Sequence, residues 1–236
     1  MFYLGGKADA IFADTGYEYD LIYRRIELIE KWCKDFHRSD FKIHKVKNEQ
    51  YGSLQDYILD QKFYPNFGAR YCTRMFKIEP IDHFLEQYKD EGAELMIGLN
   101  VTEIEQRTGN HGNKSFINYS YPLADNGLNR EMCSTILRQV KLYPDFPPYM
   151  QRGGCIGCYF KSRKEYTAMA MLNPEEFAIV EKLENDIQDK RKEFFSIIER
   201  TTMKQIRPDA LSSLFGADEI YPVINNVTKC GVFCNR

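Results

Sequence analysis

The 236-residue chain contains no apolar run approaching the roughly 18 residues that a membrane span requires. Its opening residues, Met1-Phe2-Tyr3-Leu4, lack the basic segment and long apolar core of a secretory signal. It also lacks basic excess. A net charge of -2 argues against a general coat for nucleic acid. No internal repeat or low-complexity tract interrupts it. The expectation is a cytoplasmic protein without a membrane or nucleic-acid partner. With 43% hydrophobic and 28% charged residues, the composition is that of an ordinary soluble globular chain.

What is present in quantity is cysteine, seven in all. Intracellular thiols stay reduced, so paired spacings there suggest metal or redox chemistry before structural disulfides. Cys33, Cys72 and Cys133 are isolated. Cys155 and Cys158 form a C-x2-C pair, and Cys230 and Cys234 a C-x3-C pair. Four thiolates suffice for one tetrahedral zinc or one iron–sulfur cluster. Glycines beside the first pair, Gly153, Gly154 and Gly157, let backbone N–H groups approach the sulfurs. The competing reading is buried free cysteines, packed as small apolar side chains.

Periodicity predicts strands and helices in alternation. Ala10–Ala13 reads as a short buried strand ended by Asp14-Thr15-Gly16. Tyr19 to Phe36 has helical apolar spacing through Leu21, Ile22, Ile26, Ile29 and Trp32. Phe41 to Val46 alternates as a strand, and Ser53 to Leu59 reads as a helix capped by Ser53. Lys62 to Lys77 is irregular, aromatic and basic. A helix is expected from Pro80 to Lys89, strands over 94–99 and 116–121, and a helix over 129–142. From Lys164 to about Arg200 the pattern is helical, with a break at Asn173-Pro174. This order predicts an α/β fold with an open, mostly parallel, Rossmann-like sheet and a helical, cysteine-containing C-terminal region. The expected division is 1–145 and 146–236. Ligands in such sheets bind at the carboxyl ends of strands, where Asp14-Thr15-Gly16 and Gly98-Leu99-Asn100 fall.

Two further stretches carry charge in suggestive places. Arg70, Arg74 and Lys77 put cations beside a helix start, which suits phosphate or sulfate. A solvated basic loop is the alternative. Glu103 and Arg107 follow a strand, and either grip a ligand or pair with each other.

Ile11-Phe12-Ala13-Asp14-Thr15-Gly16-Tyr17-Glu18, Arg70-Tyr71-Cys72-Thr73 with Lys77 and Pro80-Ile81, Gly98 with Glu103 and Arg107, Tyr121-Pro122-Leu123, and Gly154-Cys155-Ile156-Gly157-Cys158 with Phe160 occur in that order. In this arrangement they resemble the phosphoadenosine phosphosulfate (PAPS) reductase family. The likeness is to the compact forms found in phages and bacterial mobile elements. That family belongs to the adenine-nucleotide alpha-hydrolase-like proteins.

The resemblance implies an adenine nucleotide as ligand: ATP, adenylyl sulfate or PAPS. Asp14, Thr15, Gly16, Arg70, Arg74, Lys77, Glu103 and Arg107 would face it. It implies sulfur metabolism, by thiol-dependent reduction of activated sulfate or by ATP-dependent sulfur transfer. Cys230 or Cys234 would be the nucleophile. Cys155, Cys158, Cys230 and Cys234 would hold the iron–sulfur cluster or zinc, with Cys72 in reserve. A thiol redox partner, or a chain that completes the fold, is the expected protein partner. A non-catalytic remnant or accessory protein is the alternative, and a zinc-stabilised DNA-associated module a third.

The family's phosphate loop, Ser-Gly-Gly-Lys-Asp-Ser, lies between a strand and a helix. Gly5-Gly6-Lys7 has the right letters without that context, since the strand at Ala10 follows directly. It reads as the turn leading into that strand. On this reading the family's first strand, phosphate loop and most of its first helix are missing.

Overall fold

The computed structural model describes residues 8–107, 114–150 and 153–212. Gly5-Gly6-Lys7, Cys230 and Cys234 lie outside them, so the readings placed on those residues stay as expectations.

Strand β1 (Ala10–Ala13) leads through the Asp-Thr-Gly turn to helix α1 (Asp20–Phe36), and β2 (Ile43–Val46) follows. Helix α2 (Leu54–Gln61) starts where the Ser53 hydroxyl accepts the Asp56 N–H at 3.1 Å, and ends at Lys62 in a left-handed conformation. The segment expected to be irregular is partly helical. Helix α3 (Tyr71–Thr73) runs into a wide π turn, Arg74–Ile78, in which the Glu79 N–H reaches the Arg74 carbonyl. Helix α4 (Glu79–Leu85) continues it. The wide turn sits just ahead of Pro80, whose ring clashes with a regular preceding turn.

After a 3-10 turn come β3 (Ala93–Met96), α5 (Ile104–Arg107), β4 (Ile117–Ser120), α6 (Pro122–Asp125) and α7 (Arg130–Gln139). The Asn129 side chain caps α7 by accepting the Met132 N–H at 2.9 Å. Helix α8 (Arg163–Leu172) opens on a reciprocal cap between Ser162 and Glu165. Helix α9 (Pro174–Arg191) has Pro174 in its first turn, where a missing N–H is harmless. It stops at Arg191, short of the expected Arg200, because Lys192 turns left-handed with φ 59°. Helix α10 (Met203–Ser212) follows. No helix among the described residues is long and apolar enough to cross a membrane.

The strands pair as two small parallel sheets, β1 with β2 and β3 with β4, instead of one continuous sheet among the described residues. In the first, Ala10 to Ala13 stand opposite Ile43 to Val46 in register. In the second, Ala93 to Met96 stand opposite Ile117 to Ser120. Each pair is parallel because a helix-containing crossover separates its strands. β1 is half-buried along its length, where a buried strand was expected. Its ring contact is the edge of Phe12 against Tyr23, centroids 6.3 Å apart.

Among the described residues, those up to Ile81 together with those from Phe146 form one compact unit, and Asp82–Asp145 form the other. The core of the first unit lies beyond the carboxyl end of β1, where Tyr17 and Tyr19 pack with the helical region. Helix α9 faces it with Phe177, Val180, Leu183 and Ile187, the spacing of one apolar stripe. Among them sits Glu184, which is fully buried. Its carboxylate accepts the Ile197 N–H at 2.9 Å and the Met203 N–H at 2.5 Å. One acid thereby anchors the chain that leads from α9 to α10.

Candidate functional site

The turn after β1 is built by its own side chains. The Asp14 N–H donates to the Val46 carbonyl at 2.7 Å, extending the sheet by one step. The Asp14 carboxylate then accepts the Gly16 N–H at 2.9 Å and the Tyr23 hydroxyl at 2.7 Å. Gly16 is left-handed, with φ 66°. A Cβ there would lie 2.7 Å from the Ser53 Cβ and 3.2 Å from its backbone Cα. Glycine is thus required twice, by dihedral and by space.

Beyond Gly16 the chain meets the C-x2-C turn. The Ile156 N–H donates to the Tyr17 carbonyl at 2.9 Å, and Glu18 bridges Cys155 in antiparallel fashion. The Cys158 N–H returns to the Cys155 carbonyl at 3.2 Å, closing a tight turn. Gly157 sits inside that turn, where a Cβ would collide with the hydroxyls of Tyr17 and Tyr64. The Tyr64 hydroxyl donates to the Gly157 carbonyl. Gly157→Ala is therefore expected to lower unfolding free energy by about 2 kcal/mol, read by urea denaturation.

Three sequence segments converge here. Thr15 and Glu18 come from the first turn, Cys72 and Lys77 from the α3–π segment, and Cys155 and Cys158 from the C-x2-C turn. Thr15 is 1% exposed and Glu18 6%. The Thr15 hydroxyl donates to Glu18 Oε1 at 2.8 Å. The same oxygen accepts the Cys155 thiol at 3.5 Å, and Thr15 Oγ1 lies 3.5 Å from that sulfur. Burial, then the Glu18 carboxylate, push the Cys155 thiol well up from its ordinary range. Burial, then Cys158, push Cys72 up as well.

Lys77 faces this group from the π turn. Burial works to lower its pKa, but Cys155, Glu18, Cys158 and Cys72 together outweigh it and leave the ammonium raised. Beside the cluster, Arg70 lies over the Phe160 ring at 5.4 Å, and Phe160 stacks on Tyr159 at 4.2 Å.

The other expected residues lie elsewhere. Arg74 is exposed and pairs with Glu79 at 2.9 Å. Asp14 is held by Gly16 and Tyr23, as described. Glu103 and helix α5 belong to the second unit, where Glu103 accepts the Asn100 amide at 2.6 Å. The Arg107 side chain is outside what is described. Glu18 was missed as a site residue. Its one signal in the sequence was its place in the Asp-Thr-Gly-Tyr-Glu run, directly before a helix.

Comparison with protein-family models, with curated proteins and with solved structures gives no match. The site is therefore read from its own chemistry. Cys230 and Cys234, two of the four expected metal ligands, lie outside the described residues, and among the described residues no three His, Cys, Asp or Glu side chains are arranged to hold an ion. The Cys155 thiol donates to the Glu18 carboxylate. The arrangement offers a cation, a carboxylate acceptor and thiols of unequal exposure.

Proposed function

We propose that the protein is PAPS-reductase-like and acts on an adenine nucleotide. The reaction would be thiol-dependent reduction of activated sulfate or ATP-dependent sulfur transfer. One observation carries this reading: the Asp-Thr-Gly, Cys-Thr…Lys and Gly-Cys-x-x-Cys segments, far apart in sequence, converge around Lys77. In this reading Lys77 and Arg70 steady anionic oxygens of the nucleotide. In the reductive reaction a thiolate attacks the sulfur of the activated sulfate, the S–O bond to the nucleotide breaks, and the nucleotide phosphate leaves. A second thiol then displaces sulfite and forms a disulfide.

Isothermal calorimetry with ATP and with PAPS tests this. Expected is a Kd in the micromolar range, weakened about tenfold by Lys77→Met, as loss of one charge-assisted contact requires. No heat with either nucleotide overturns it. A second reading, a non-catalytic accessory protein, is favoured by the engagement of Asp14 with Tyr23 and of Arg74 with Glu79. Absence of heat would leave that one standing.

A further inference from the structure

We infer that Cys155 and Cys158 form a thiol–disulfide exchange centre whose substrate is a disulfide. Cys158 is the attacking thiol and Cys155 the resolving one, with Glu18 as proton acceptor. This stands independently of the nucleotide reading.

The geometry assigns the roles. The turn closed by the Cys158 N–H and the Cys155 carbonyl at 3.2 Å brings the two Cα atoms within about 7 Å, the range a disulfide spans. The two thiols differ in access. Cys155 is buried, at 9% exposure, whereas Cys158 is half-exposed. An incoming disulfide therefore meets Cys158 first. Cys155 is held from behind by a carboxylate, its thiol 3.5 Å from Glu18 Oε1. Thr15 donates to that same oxygen and fixes its direction.

The chemistry balances without a further reagent. The Cys158 thiolate attacks one sulfur of the substrate R–S–S–R′. A Cys158–S–S–R bond forms, and R′S⁻ leaves and takes a proton. Cys155 passes its proton to Glu18 and attacks the Cys158 sulfur. The Cys155–Cys158 bond forms, and RS⁻ leaves with the proton held by Glu18. The substrate disulfide is reduced by two electrons and the protein dithiol oxidised by two. Cys155 is buried, so it does not compete for the substrate.

The test uses the full chain, reduced and then exposed to oxidised glutathione, with products mapped by mass spectrometry after acid quench. In the wild type the expected product is a Cys155–Cys158 link without retained glutathione. Cys155→Ser is expected to trap glutathione on Cys158, and Cys158→Ser to take up none at Cys155. Glu18→Gln is expected to leave the first attack unchanged and to slow loss of the glutathione adduct at least tenfold. A wild-type link from Cys158 to Cys72 overturns the assignment. So does a chain inert to glutathione, or one that reacts only after a chelator strips a bound metal. The wild-type map decides even where a serine variant fails to fold.

Discussion

Replacing Glu184 by alanine is expected to lower unfolding free energy by about 4 kcal/mol, enough to unfold a chain of ordinary stability near body temperature. The side chain is fully buried and its two oxygens accept two different backbone N–H groups, those of Ile197 and Met203. Alanine orphans both donors, at about 1–3 kcal/mol each, and leaves a cavity. Glutamine keeps one acceptor and turns an NH2 toward the other N–H, so about half that loss is expected. The pH dependence separates charge from packing. Burial, against the opposing pull of the two N–H groups, leaves the Glu184 carboxyl raised above its ordinary value. A raised carboxyl gives stability that is fully present below its unfolded pKa and is lost as pH rises through its folded one. Glutamine does not titrate. The gap between wild type and Glu184→Gln should therefore narrow as pH rises above the ordinary carboxylate range, measured by urea denaturation. A gap that widens would contradict the placement of this acid.

Gly16→Ala is expected to cost about 3 kcal/mol and to loosen the cysteine turn with it. A left-handed alanine costs about 1–2 kcal/mol. The added Cβ meets the Ser53 Cβ at 2.7 Å and its Cα at 3.2 Å. Overpacking of that kind adds about 1–3 kcal/mol. Ser53 cannot yield cheaply, because it caps α2 and the next N–H, of Leu54, donates to the Thr15 carbonyl at 2.8 Å. Any shift relieves the clash by moving Thr15, and Thr15 holds Glu18. Denaturation should report the loss, and alkylation of Cys155 by iodoacetamide should become at least tenfold faster. A variant that loses stability with Cys155 still protected would mean that the two turns are not coupled.

Much of the fold follows from local pattern. A short apolar run places β1, alternation places β2, and the apolar period places α1 and α9, with Pro174 at the start of the latter. What sequence leaves open is set by distance along the chain or by broken local rules. Helix α10 has Pro208 in its interior, which reads as a breaker. The π turn at Arg74–Ile78 has no composition of its own. That the strands form two pairs is a matter of partners, which periodicity does not encode. The site divides in the same way. Thr15, Lys77, Cys155 and Cys158 stand out by residue type. Glu18 acquires its meaning through Cys155, 137 positions away. Conversely, Arg74 looks like a ligand group in sequence and is an exposed partner of Glu79 in the fold.

The π turn also fixes a point of evolutionary geometry. Such a turn holds one residue more than a regular helical turn, and each residue rotates a helix by about 100°. Deleting one residue between Arg74 and Lys77 would regularise the helix and swing the ammonium round to another face. The lysine would survive in the sequence and vanish from beside the thiols. Relatives that share the cysteine turn but show a single-residue gap here should have lost its chemistry, whatever their overall identity.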